Sequence, residues 1–312
     1  MIVRKLALIS FPNYRFLKIS LNLTTYLAKY KLKNLVKDSH LSHAHNIFPD
    51  GFIANYCYKK YGLSYIVTMR DQRKIINNKW RKRVTADILD HAYAVTVISK
   101  HHKNKLKNIT SNKIHIIPHG IEKDILLKGE KKSKKEYLDI IIIAEMIELK
   151  HIDWVISAFN SLVTKKKCRL FIVGDGPLRE KINNQCSGNK NIKLFGQIPR
   201  EKVLQLLDNT DIFVLPSFPE SFGVVFLEAM AKKNAVIGIR DSGVCGLFRE
   251  GEEILIAERN VTSLKKLLNN IVNDDQLRNK LADLGYNAVK SAYCIDHISN
   301  KYKKLYDEAL IN

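Results

Sequence analysis

The 312-residue chain has no apolar run approaching the roughly 18–20 residues that a membrane-crossing helix needs. Its five cysteines (Cys57, Cys168, Cys186, Cys245 and Cys294) form no C-x-x-C pair, so they imply neither a zinc site nor a disulfide framework. Near the start, Arg4 and Lys5 are followed by only a short apolar stretch, residues 6–11, before Pro12. That is too brief for a signal peptide, and no small-residue cleavage site follows. A reducing, cytoplasmic setting is expected. There is no internal repeat and no low-complexity tract. The hydrophobic (46%), charged (27%) and aromatic (9%) fractions exclude a fibrous or largely disordered chain. Acid is scarce relative to base, with 31 Asp and Glu against 52 Lys and Arg, a net charge of +21.

The excess is uneven. Residues 1–138 hold 28 Lys and Arg and 9 Asp and Glu, a net of +19, whereas residues 139–312 hold 24 and 22, a net of +2. A lysine-rich compositional bias would raise both halves alike. The first half is therefore expected to face something anionic: nucleic acid, acidic lipid headgroups or phosphorylated substrates. Residues 13–37 set Phe16, Ile19, Leu23 and Leu27 at helical spacing among Lys18, Lys29, Lys31, Lys33 and Lys37. Such a helix suits an anionic membrane surface, or else packs on its own sheet with its lysines in water. Residues 79–83 add a second basic cluster around Trp80. No nucleic-acid recognition motif is present, so nucleic acid is not an expected partner.

From about residue 40 onward, short apolar runs alternate with helix-like stretches. Runs at 64–69, 94–98 and 114–117 read as buried strands, as do those at 139–144, 169–173, 192–195, 211–215 and 235–239. Amphipathic segments at 153–163, 177–184, 200–209 and 222–232 separate the later ones, and residues 261–310 read as helical. Strands this apolar, joined by single helices, call for parallel sheets covered on both faces. The polar, lysine-rich stretch 123–135 divides the series and is the candidate linker. Two doubly wound α/β domains facing a cleft are expected: residues 1–122, a linker at 123–138, residues 139–297, and a terminal helix over 298–312 that crosses back to the first domain.

The segment 211–231 carries the chemistry. A buried strand ends at Pro216-Ser217, a loop holds Glu220, and a helix begins near Phe222-Gly223 with Glu228 inside it. Backbone amides of Phe222, Gly223, Val224 and Val225 would point out of the helix start, where the macrodipole favours an anion. Glu220 and Glu228 beside a phosphate site would repel the ligand unless they serve hydroxyl groups, as a sugar and a ribose provide.

The stretch P-S-F-P-E-S-F-G-V-V-F-L-E-A-M-A resembles the signature of glycosyltransferase family 4, the retaining nucleotide-sugar transferases of GT-B fold. Other pieces follow in the family's order: His43-Ala44-His45 with Phe48-Pro49-Asp50-Gly51, Val97-Ile98-Ser99, Ile117-Pro118-His119-Gly120-Ile121-Glu122, the region of Lys150, and Gly174-Asp175-Gly176-Pro177-Leu178. The resemblance implies that Glu220 meets donor-sugar hydroxyls, Glu228 the donor ribose and Lys150 the diphosphate. It also implies that Gly174 and the backbone of Gln197 and Ile198 border the donor. It sets Arg70, after Thr68-Met69, against the donor sugar, with His45 catalytic and Asp50 and Gly51 on the acceptor side. No metal ion and no cofactor is implied. The donor is a nucleotide sugar, UDP-linked in preference to GDP-linked, and the acceptor a lipid-linked or glycan molecule. A peripheral position at the inner face of the plasma membrane and a partner glycosyltransferase fit the same picture.

Three departures stand out. The family's arginine five positions before the lysine is here Glu145, and Lys232 and Lys233 are candidate replacements for the lost cation. The loop after the fifth strand of the second half reads Ser242-Gly243 with Gly246. Only about 40 residues precede His43, without a Gly-Gly turn, so a shortened first domain is expected.

Overall fold

The alternation of apolar runs and single helices produces two separate parallel sheets. In the computed structural model the described residues are 17–70, 79–127 and 136–311. Of these, 17–70, 79–98, 102–117 and 301–311 form one unit, and 99–101, 118–127 and 136–300 the other.

The first unit runs α1 (Leu17–Lys37), β1 (Ser42–Ala44), α2 (Phe52–Tyr61), β2 (Tyr65–Met69), α3 (Lys79–Asp90), β3 (Ala94–Val97), α4 (Lys100–Leu106) and β4 (Ile114–Ile116). The strands lie in the order β1-β2-β3-β4, all parallel. Tyr65, Val67, Val95 and Val97 are fully buried and pack with Ile88 and Leu89 of α3 and Leu106 of α4. Burial on both faces is what makes these strands read as unbroken apolar runs. The three-residue β1 escaped the sequence reading because its Ser-His-Ala has neither apolar length nor alternation. The expected helix start at 13–16, the short apolar stretch at 6–11, and the expected shortening of this domain at its front all bear on residues outside those described.

The second unit continues with β5 (Leu138–Ile143), α5 (Ile152–Asn160), β6 (Cys168–Val173), α6 (Arg179–Cys186), β7 (Ile192–Gly196), α7 (Arg200–Asn209), β8 (Ile212–Val214), α8 (Val224–Ala231), β9 (Ala235–Ile239), β10 (Leu255–Ala257), α9 (Val261–Asn273) and α10 (Asp275–Ala292). The last helix, α11 (Ile295–Ile311), starts in this unit and from Lys301 onward groups with the first. The six parallel strands of the second unit lie in the order β10-β9-β8-β5-β6-β7. That is a doubly wound sheet whose order reverses between β5 and β8, the point where the loops beyond the strand ends diverge and leave a crevice. The tail expected to be helical forms three helices, α9, α10 and α11. Asn260 and Asp274 cap α9 and α10, their side chains accepting from the amides of Ser263 and Leu277 at 2.8 Å each.

The unit boundary differs from the expected one at residue 122. Pro118 onward groups with the second unit. There Ile121 donates its amide to Tyr293 and accepts from the Ile295 amide, at 2.9 and 2.8 Å. The start of the expected linker is likewise packed, with Ile125 buried and the Leu127 amide donating to Ala231. Residues 128–135 lie outside the description.

Candidate functional site

The reversal between β5 and β8 brings two loops together in the second unit. After β5 the chain passes Ala144 and Glu145, makes a 3₁₀ turn at Glu148–Lys150, and enters α5 through His151 in the left-handed region, φ 46°. After β8 it passes the buried Ser217 and reaches Glu220 and Gly223. The Phe218 amide donates to the Leu149 carbonyl at 2.9 Å, tying the loops together. Lys150 Nζ then sits 2.6 Å from Glu220 Oε2, with both side chains largely buried. Ser217 donates its hydroxyl to the same oxygen at 2.9 Å, and Glu220 Oε1 accepts from the Ser221 amide at 3.1 Å. Three donors hold this carboxylate in one orientation.

The helix beyond begins two residues later than expected. Gly223 adopts φ 75° and ψ 80° and serves as the N-cap of α8. A Cβ there would lie 2.8 Å from the Phe226 ring. Phe222 is buried, its ring 5.2 Å from that of His119. The Phe226 amide is used on the Gly223 carbonyl at 3.0 Å. The first-turn amides of Val224 and Val225 have no acceptor inside the helix and are donors available at the start of α8.

Glu228, on the first turns of α8, is buried and held by Arg200. Arg200 Nε and Nη2 reach its Oε1 at 3.0 and 2.8 Å. Sequence reasoning missed Arg200, whose one signal was a basic residue opening a helix just after Pro199. Both guanidinium bonds fall on one oxygen, so Oε2 keeps its capacity to accept. Gln197 is exposed and Ile198 half-buried in the turn between β7 and α7. Gly174 has a packing duty. Its φ is 131°, and a Cβ would stand 1.9 Å from the Ala144 carbonyl oxygen. Gly243 similarly backs the site loop, where a Cβ would stand 2.1 Å from the Ser221 carbonyl oxygen.

The expectation for Lys232 and Lys233 is corrected. They follow the far end of α8 and pair with Asp208 at 2.9 Å and Asp283 at 3.0 Å, so they do not replace the missing cation. Glu145 is exposed at the end of β5.

Arg70, His45, Asp50 and Gly51 belong to the first unit. Arg70 Nη2 lies 3.1 Å from His45 Nδ1. Burial and then Arg70 lower the His45 pKa below the usual imidazole value, and Asp50 opposes them. Gly51 packs where a Cβ would approach Ile88 to 3.0 Å and the Asn46 carbonyl to 3.2 Å. The first histidine of His43-Ala44-His45 is the more tightly engaged. His43 Nε2 is 2.7 Å from Thr68 Oγ1, which is 2.5 Å from Thr96 Oγ1, and His43 Nδ1 is 2.6 Å from the Tyr306 hydroxyl of α11. Burial, helped by His45 and Arg70, lowers its pKa to about 4. The ring is neutral at physiological pH. Among the described residues no group of three His, Cys, Asp or Glu is placed to hold a metal ion.

Two parallel-sheet α/β units, the second a doubly wound sheet with an anion-receptive helix start at its switch point, make up the GT-B architecture. The chain belongs to the group 1 glycosyltransferases: the family model described as "Glycosyl transferases group 1" matches residues 124–290, and that of "Glycosyltransferase Family 4" matches residues 2–125. It is 26% identical over 289 residues to an uncharacterized glycosyltransferase of Methanocaldococcus jannaschii, covering 89% of this chain and 80% of the relative. It is 24% identical over 280 residues to a Bacillus subtilis glycosyltransferase assigned to teichuronic acid biosynthesis, covering 86% and 69%. The fold matches Anabaena HepE, solved in complex with UDP, with a TM-score of 0.77 at 15% identity over 93% of this chain and 84% of that one.

Proposed function

We propose that this glycosyltransferase moves a sugar, with retention, from a nucleotide donor to a lipid-linked or glycan acceptor in surface polysaccharide or glycolipid assembly. The donor is a UDP-sugar in preference to a GDP-sugar. The protein works peripherally at the cytoplasmic face of an anionic membrane. The observation that carries this reading is the switch-point constellation: Lys150 on Glu220 beside the free amides of Val224 and Val225, with Glu228 Oε2 open one to two turns away.

In this reading Lys150 and the amides of Val224 and Val225 hold the diphosphate. Gly174 keeps the neighbouring loop close behind them, and the Gln197 and Ile198 backbone faces the base. Glu228 accepts from the ribose diol. Glu220, fixed by three donors, orients donor-sugar hydroxyls and is not itself a nucleophile. Arg70 meets the donor sugar, and His45, Asp50 and Gly51 line the acceptor side. The acceptor oxygen attacks the anomeric carbon on the face from which the phosphate departs. The carbon–phosphate-oxygen bond breaks as the new glycosidic bond forms, and the acceptor proton passes to the departing phosphate oxygen.

The Anabaena structure contains UDP, and the Bacillus relative is assigned to teichuronic acid biosynthesis; both support the donor and acceptor classes. Titration calorimetry with UDP-, GDP- and CDP-sugars, followed by NMR of the product anomer, tests the reading. If no nucleotide sugar binds while Lys150, Glu220 and Glu228 are intact, the chain is instead a non-catalytic partner of another transferase, a role that the uncompensated Glu145 favours.

A further inference from the structure

Helix α1 is built inside out. Its packed side buries Ser20, Thr24 and Thr25 together with Leu21 and Leu32, and Thr25 returns its hydroxyl to the Leu21 carbonyl at 2.8 Å. Its outer side exposes Ile19 (56%), Leu23 (39%), Tyr26 (65%), Leu27 (61%) and Tyr30 (74%). At 100° per residue these five fall within an arc of about 100°, one continuous apolar stripe. A helix that needed only to cover its own sheet would turn these five inward and the hydroxyls outward. The C-terminal half of α1 packs through Ala28, Leu32 and Val36 onto Ile53, Tyr56 and Cys57 of α2.

The charge around the stripe has one sign. The 21 residues of α1 contain Lys18, Lys29, Lys31, Lys33 and Lys37 and no acidic residue. Lys29 Nζ lies 4.8 Å from the Tyr26 ring centroid and 5.1 Å from that of Tyr30. Its ammonium thus lies over both ring faces, a cation–π arrangement at an exposed aromatic pair. Tyrosine is suited to the same boundary, with an apolar ring and a hydroxyl that needs a polar partner. A protein partner with an apolar surface would satisfy the stripe but not the one-signed charge of the helix. An anionic bilayer satisfies both at once.

We infer that the outer face of α1 is the membrane-docking surface of this protein, lying in the plane of an anionic headgroup layer with Ile19, Leu23 and Leu27 toward the acyl chains. The inference rests on the peripheral-membrane part of the reading above and is independent of its donor chemistry.

The test is flotation of the full chain with phosphatidylcholine vesicles, with and without phosphatidylglycerol, for wild type, Leu27→Glu and Tyr30→Trp. Wild type is expected to float with anionic vesicles only and to release as salt is raised. Leu27→Glu is expected to weaken association by about tenfold or more. The extra indole emission of Tyr30→Trp, read as the difference from wild type, should shift to the blue on adding anionic vesicles. Unchanged flotation of Leu27→Glu would overturn the inference while keeping membrane association, and no flotation of wild type would overturn the peripheral reading with it. A steep fall in the thermal midpoint of Leu27→Glu, or loss of a concentration-dependent dimer in that variant, would assign the stripe to a contact within the chain or between copies. UDP titrations without vesicles, run in parallel, read the donor site separately.

Discussion

Lys150 Nζ and Glu220 Oε2 are 2.6 Å apart, and they come from the two loops that diverge at the switch point of the second sheet. In the proposed role of Lys150 as a diphosphate ligand, the cation is already partnered before donor arrives, and donor binding exchanges that carboxylate for phosphate oxygens. Glu220→Gln removes the competing charge, so UDP affinity is expected to hold or rise while turnover falls at least about tenfold through loss of sugar orientation. Lys150→Met is expected to lose about 1.5–3 kcal/mol of UDP binding. Calorimetry paired with initial rates reads both.

Glu228→Ala should weaken UDP binding by about 1.5–3 kcal/mol, the range for hydrogen bonds to a charged group. Because Arg200 holds Oε1, Arg200→Ala should also weaken binding, by less, since the carboxylate remains but loses its fixed orientation. Equal affinity in both variants and wild type would remove this carboxylate from the site.

Glu145 stands where the family has an arginine, and it is exposed just past the end of β5. Glu145→Arg exchanges a repulsion for an attraction. After screening by solvent, a gain of about 1–3 kcal/mol in nucleotide-sugar binding is expected, tenfold or more in affinity.

Gly174→Ala should be severely destabilising. The added methyl would enter the Ala144 carbonyl, a backbone group that cannot swing aside, in a φ region that residues with a side chain rarely adopt. A loss exceeding about 2 kcal/mol is expected. Gly62→Ala is the control: φ is 74° but the space is open, so only about 1 kcal/mol should be lost. Thermal midpoints of the two variants give the comparison.

Acid sensitivity should centre on His43. Unfolded, it takes up a proton near 6.5; folded, it resists until about 4. The unfolded chain binds more protons between those values, so this contribution to stability is complete above pH 6.5 and is lost as the pH falls toward 4. Denaturant midpoints for wild type and His43→Asn should diverge with pH only inside that window, with wild type the more acid-sensitive.

Much of the second unit was legible in sequence. Residues 139–142 and 235–239 are buried on both faces, and a strand with no solvent side writes itself as an unbroken apolar run; 169–173 is read from its buried Leu170, Ile172 and Val173, its other face being half-buried. Glu220 and Glu228 were visible because each sits at a fixed offset from a strand end and a helix start. Arg200 and Tyr306 were not, because each matters through a partner 28 or 263 residues away. His45 drew attention as part of a motif, whereas the position of its neighbour His43 inside a Thr68–Thr96–Tyr306 network has no local signal at all.

By itself, then, the sequence determined the parallel-sheet class, the strand–loop–helix segment with its two glutamates, and the +19 of residues 1–138. These follow from burial periodicity, backbone chemistry at a helix start, and composition, all of which are local. Tertiary structure decided the rest. It set Lys150 on Glu220, turned Lys232 and Lys233 to Asp208 and Asp283, and put the Ser and Thr face of α1 inward and its Leu and Tyr face outward. An amphipathic helix announces that it has two faces, but which face meets the core depends on what the rest of the chain offers to bury.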